Sequence, residues 1–167
     1  MSAWGGAQTA SNTTGSGDST AINGYDVVAF HTQRKALHGD AKISVGYGGA
    51  KWLFSSEENK ALFESAPEKY LPAWGGQCAW AVSHGGLSRK LLSGDFEVIQ
   101  GQLYLFSYGN NRKSGARDHF VYGRHPVNIL VRDGNRHWPE LKRKLEEGSM
   151  AQPDLGNYSK SPFEGSR

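Results

Sequence analysis

With 167 residues, 37% of them apolar and 11% aromatic, the chain has the size and make-up of one domain with its own hydrophobic core. Its single cysteine excludes an internal disulfide framework and every four-thiolate zinc or iron–sulfur site, so packing alone must hold the fold. The net charge of +3 is too small to demand a polyanionic partner, and no window approaches the roughly eighteen apolar residues of a membrane span.

The first twenty residues, MSAWGGAQTASNTTGSGDST, are Gly, Ser, Thr and Asn with little to bury, and predict a flexible extension over residues 1–20. The globular part is expected over 21–148. DVVAFHT, AKISVGY and KWLF read as short β segments, because β-branched and aromatic residues dominate between turn formers. A helix follows in FSSEENKALFESAPEKY: Ser55 and Glu58 have the spacing of a capping box, Leu62 and Phe63 supply an apolar face, and Pro67 ends it. FEVIQGQLYLFSY predicts an antiparallel hairpin turning at Gly101. GNNRKSGARDH reads as a polar loop, and HPVNILVRDGN and WPELKRKLEEG as two helical pieces. In the second piece Pro139 takes a first helical position, Leu141 and Leu145 share a face, Glu140 pairs with Lys144, and Gly148 is the stop. Residues 149–167 form a second extension, and no internal repeat stands out. The fold class expected is α+β: a single small domain of antiparallel hairpins packed against short helices, flanked by extended tails.

INGYDVVAF, GYGGAKWLFSSEENKALFESAPEKYLPAWGGQCAW and VIQGQLYLFS, followed by NRHWPEL, resemble a stand-alone member of the YHS domain family from about Ala21 to Leu145. The resemblance implies an α+β domain, and some relatives carry such modules beside copper transporters or on oxygenases. It also implies where this chain departs from the family. Metal-associated members have one cysteine pair before the strand and another around the helix start. Here the first pair is missing, and the helix positions are Ser55 and Asn59. A hydroxyl and an amide are poor ligands for copper(I) or zinc, so a thiolate-rich site is not inherited.

Cys78, in YLPAWGGQCAWAVSHGG, carries the remaining chemistry. One thiolate with imidazoles from His84, His31 or His38 would suit copper, zinc or iron, so Cys78 and His84 are the candidate metal ligands. The sequence lacks the tight ligand spacing of a strong zinc motif. A catalytic thiol needs an adjacent base in an open electropositive site, and only His84 is near in sequence. GGQCAWA does not follow the papain pattern, and no GxSxG, HExxH or Walker signature is present. The simplest role for Cys78 is a small buried hydrophobe beneath Trp74 and Trp80. Trp52, Trp74, Trp80 and Tyr104 could line a small-molecule pocket, although aromatics there more often form core.

From Arg112 to Lys144 basic residues outnumber acidic ones, but no nucleic-acid reading module accompanies them. No catalytic residue is assigned and no enzyme is expected. The function expected is a non-catalytic accessory subunit that docks on a larger protein assembly, its tails carrying scattered anchors such as Trp4 and Phe163; the alternative is a transition-metal binding module. No secretory signal opens the chain as given, which leaves localisation open, a processed organellar or exported protein included.

Overall fold

The computed structural model describes residues 20–87, 95–107 and 116–148; apart from Thr20, both expected tails lie outside them. The chain enters through a tight left-handed turn, Ala21–Gly24, and then forms α1 (Val27–Thr32), β1 (Asp40–Tyr47), β2 (Ala50–Phe54), α2 (Glu57–Ser65) and α3 (Pro67–Tyr70). A second left-handed turn, Ala73–Gly76, leads to α4 (Ala79–Ser83), β3 (Phe96–Ile99), β4 (Gln102–Leu105), α5 (Ala116–Tyr122) and α6 (Val127–Glu146). The class is α+β, with two antiparallel hairpins, β1–β2 and β3–β4, packed among the helices.

Both hairpins close on two-residue turns in which each residue has positive φ, Gly48–Gly49 and Gln100–Gly101. That geometry matches the right-handed twist of the paired strands and favours glycine, which is why Gly101 marks the second hairpin in the sequence, where the first shows only its strand segments.

DVVAFHT is a correction: it is helix, not strand. Val27, Val28, Ala29 and Phe30 are all at most 1% exposed, so the first four residues of α1 are buried in succession and show no amphipathic period. A short apolar run of that kind cannot be told from a buried strand by its pattern. What decides is Asp26, whose Oδ1 accepts hydrogen bonds from the backbone N–H of Val28 at 2.9 Å and Ala29 at 3.2 Å.

The start of α2 is a second correction. The capping side chain is Ser56, which accepts from the Asn59 N–H at 3.1 Å, and Ser55 is engaged elsewhere. Pro67 ends α2 as expected and opens α3. In the stretch read as a loop, Ala116 to His119 belong to α5. The two helical pieces are one continuous α6 with Pro139 inside it. Its apolar stripe, Leu130, Gly134, Trp138, Leu141 and Leu145, runs straight past the proline. Burial of Trp138 and Leu141, at about 1.5–3 kcal/mol or more each, outweighs the roughly 3 kcal/mol of an interior proline.

Two hydrophobic clusters share β4 as a wall. Leu103 and Leu105 point into the first, with Ile22, Val27, Val28, Phe30, Trp52, Phe54 and Phe63; Tyr104 and Phe106 point into the second, with Trp74, Cys78, Phe120 and Trp138. The period-2 alternation of a strand is what lets one segment serve both cores. The second core is clamped where α6 crosses the second left-handed turn. Trp74 Nε1 donates to Asn135 Oδ1 at 3.0 Å, and its ring packs closely against Gly134.

A methyl group at Gly134 would come within 2.5 Å of Trp74 Cη2. Gly134→Ala, which on an open helix face would gain about 1 kcal/mol of propensity, is therefore expected to lose about 1–3 kcal/mol, measured by denaturant unfolding. A stabilised variant would show that α6 is not seated on Trp74.

Candidate functional site

The polar centre of the described structure is Asp26, a fully buried carboxylate. Its Oδ1 caps α1. Its Oδ2 accepts from the Ser55 N–H at 2.8 Å, the Ser55 hydroxyl at 2.6 Å and Asn59 Nδ2 at 2.7 Å. Five donors thus meet one carboxylate, which fills its acceptor capacity and offsets its desolvation without a cation. The arrangement also ties the start of α1 to the β2–α2 junction, across 29 to 33 residues of chain. Ser55 and Asn59 are the two positions that the resemblance aligns with helix cysteines, and both donate to Asp26. The sequence reading took Asp26 for the edge of a strand. The available signal was an Asp immediately before an alanine-containing apolar run, which suits an N-cap.

Cys78 is 3% exposed in the second core, at the N-terminal end of α4, where its side chain makes no capping bond. His84 stands at the other end of the same helix and is exposed; its ring lies over Trp80 with centroids 4.1 Å apart, and its Nδ1 lies 2.8 Å from the Trp80 carbonyl oxygen. His119 approaches Trp80 from α5 at 5.5 Å. His31 is elsewhere, its Nε2 3.1 Å from the Tyr70 carbonyl oxygen, and His38 stacks on Tyr25 at 4.2 Å. Among the described residues, no three His, Cys, Asp or Glu side chains are gathered where they could hold a metal ion.

The four aromatics considered as a pocket are divided: Trp52 lies in the first core, Trp74 and Tyr104 in the second, with Trp80 at its edge. Burial raises the Tyr104 hydroxyl pKa. The cleft that the structure does show is polar and open, about 490 Å³, lined by Arg34, Asp95, Phe96, Glu97 and Arg117. Within it Arg117 donates to Glu97 at 2.6 Å and to the Phe96 carbonyl at 3.0 Å.

A YHS domain family model matches residues 28–74, the segment that holds α1, the first hairpin, Ser55, Asn59 and Trp74. That segment is a YHS domain. No curated protein and no solved structure matches the chain. No described helix is long and apolar enough to cross a membrane.

If Asp26 is the hub, its removal strands buried donors. Asp26→Ala and Asp26→Asn are each expected to cost about 3 kcal/mol or more in urea unfolding. Ser55→Asp, which a helix cap would tolerate, should lose at least as much as Ser55→Ala, about 1 kcal/mol, because it brings a second carboxylate toward the first. A tolerated Ser55→Asp with a damaging Ser55→Ala would restore the capping role.

Burial, outweighing the hydrogen bond to Tyr70, lowers the His31 pKa below its ordinary 6.5. A depressed imidazole pKa means the unfolded chain binds the proton better, so this contribution is complete above about pH 6.5 and is lost as the pH falls through the folded value. His31→Gln should flatten the pH dependence of the melting temperature between about pH 7 and 5; an unchanged slope would place the titration elsewhere.

Proposed function

We propose that this YHS module is non-catalytic and serves as an accessory subunit docked on a larger protein assembly. The observation that carries the reading is the saturation of the polar groups around Asp26. Asp26, Ser55 and Asn59 satisfy one another, and the thiol of Cys78 lies in an aromatic core. Groups so engaged hold a fold; they are not aimed at a substrate.

The surface supports the same reading. Tyr122 is 74% exposed at the end of α5, with the Arg117 guanidinium 5.9 Å from its ring. An aromatic–arginine pair left at the surface has the composition of an interface anchor. The basic stretch of α6 offers less to a polyanion than its composition suggests. Arg132 pairs with Asp133, and Arg143 is held between Glu140 and Glu147, which raises its pKa.

The test is recovery of the full chain from its native source. It is expected to migrate with a stoichiometric protein partner, and Tyr122→Ala, Trp4→Ala and Phe163→Ala should each weaken that association while leaving the melting temperature within a few degrees. A monomer carrying close to one equivalent of copper, zinc or iron, lost in Cys78→Ala, would overturn this function in favour of metal binding.

A further inference from the structure

The two left-handed turns are the same device used twice. In the first, Ile22 (φ 40, ψ 46) and Asn23 (φ 54, ψ 26) precede Gly24 at φ 79. In the second, Trp74 (φ 53, ψ 44) and Gly75 (φ 63, ψ 20) precede Gly76 at φ 73. Three successive left-handed residues, one of them a β-branched isoleucine, are costly and rare. Each turn is closed by one hydrogen bond, Tyr25 N–H to Ile22 O at 3.2 Å and Gln77 N–H to Trp74 O at 3.1 Å.

The likeness extends in both directions at a constant offset of 52 positions. Before the turns, Thr20 bridges Lys51 in parallel and Pro72 bridges Leu103 in parallel. After them, Asp26 (φ −75, ψ 106) precedes α1 and Cys78 (φ −55, ψ 118) precedes α4. In the hairpins, the pairs Ser44–Leu53, Val45–Trp52, Gly46–Lys51 and Tyr47–Ala50 recur as Phe96–Leu105, Glu97–Tyr104, Val98–Leu103 and Ile99–Gln102. Gly48 and Gly49 (φ 60 and 82) recur as Gln100 and Gly101 (φ 51 and 80).

We infer that residues 72–87 and 95–107 belong to a second YHS-type unit, matching residues 20–35 and 43–55 at that one offset, in which Cys78 takes the helix-capping hub position of Asp26. This goes beyond the docking role and does not depend on it. It corrects the sequence reading that found no repeat. The positions that stay identical, among them Gly24 and Gly76, Gly49 and Gly101, Leu53 and Leu105, and Phe54 and Phe106, are too scattered to stand out. It also explains why the family match ends at residue 74, inside the second left-handed turn. Ser107, 8% exposed, falls where Ser55 donates to Asp26.

The copies differ where their surroundings differ. Leu103 is fully buried in the first core, whereas its counterpart Lys51 is half-buried and carries a charge. A position that is apolar inside a stack and charged at its outer face is the pattern of terminal units in repeat proteins.

A packed thiol and a hub position respond differently to substitution, and the full chain can be used throughout. Cys78→Ser supplies a hydroxyl of nearly the same size, able to accept from the free N–H groups at the start of α4 as Asp26 does in α1. It is expected to keep the unfolding equilibrium constant within about threefold of wild type, because the new cap offsets the lost sulfur packing, while Cys78→Ala, which removes the packed sulfur and supplies no cap, raises it about fivefold. Cys78→Asp should retain a cooperative melt, with Ser107→Ala more damaging in that background than in wild type. Val82→Asp, one turn along the same buried helix, should unfold the chain. If Cys78→Ser loses at least as much as Cys78→Ala, Cys78 is an apolar filler and the hub equivalence fails, whether or not Cys78→Asp folds.

Discussion

One carboxylate with no solvent exposure organises the first half of this protein. An ionised group taken out of water costs several kcal/mol unless its lone pairs are met, and the fold meets them with donors from three places: the first turn of α1, the end of β2 and the first turn of α2. Those segments can converge on Asp26 only if α1 lies across the β1–β2 hairpin. The hub therefore does more than satisfy itself. It fixes the entry angle of α1 and turns a sequence with β-branched preferences into a helix whose first turn is buried, where packing of Val27, Val28 and Phe30 then holds it.

That dependence explains which elements were legible in the sequence. The hairpins rest on local chemistry: alternating apolar residues and glycines where φ must be positive. The stop of α2 at Pro67 and of α6 at Gly148 are equally local. The strand assigned to DVVAFHT failed because its helix depends on a cap whose other partners lie 29 and 33 residues away. Ser55 and Ser56 are indistinguishable as caps in sequence; only the demand of Asp26 for a hydroxyl donor assigns one to each task. Pro139 was read as a helix start because the gain from seating Trp138 and Leu141 against the second core has no local signature.

The candidate site was legible in part. Cys78 drew attention because it is the only thiol, and the structure places it where the apolar surroundings of the sequence pointed, among Trp74, Val82 and Phe120. Asp26 did not draw attention, because an aspartate before two valines looks like a loop residue until its burial is known. The histidines near Cys78 in sequence are directed elsewhere by their own contacts, His84 over Trp80 and His137 toward the Val82 carbonyl at 3.2 Å. Sequence proximity of a thiol and an imidazole is weak evidence of a site, because six residues around a short helix put the two at its opposite ends.

The two cores also bear on how a docked module of this kind would behave. Because Leu103 and Leu105 belong to the first cluster and Tyr104 and Phe106 to the second, β4 cannot leave one core without exposing the other. The segment matched by the YHS family model, residues 28–74, thus lacks two fully buried leucines of its own core, which the chain supplies from the following hairpin. Local opening of the second half would strip apolar surface from the first, which couples the two into one cooperative unit. A partner that binds α5 and α6 on the second half would therefore stabilise the Asp26 hub at a distance, through contiguous packing across β4 and with no rearrangement of the hub itself.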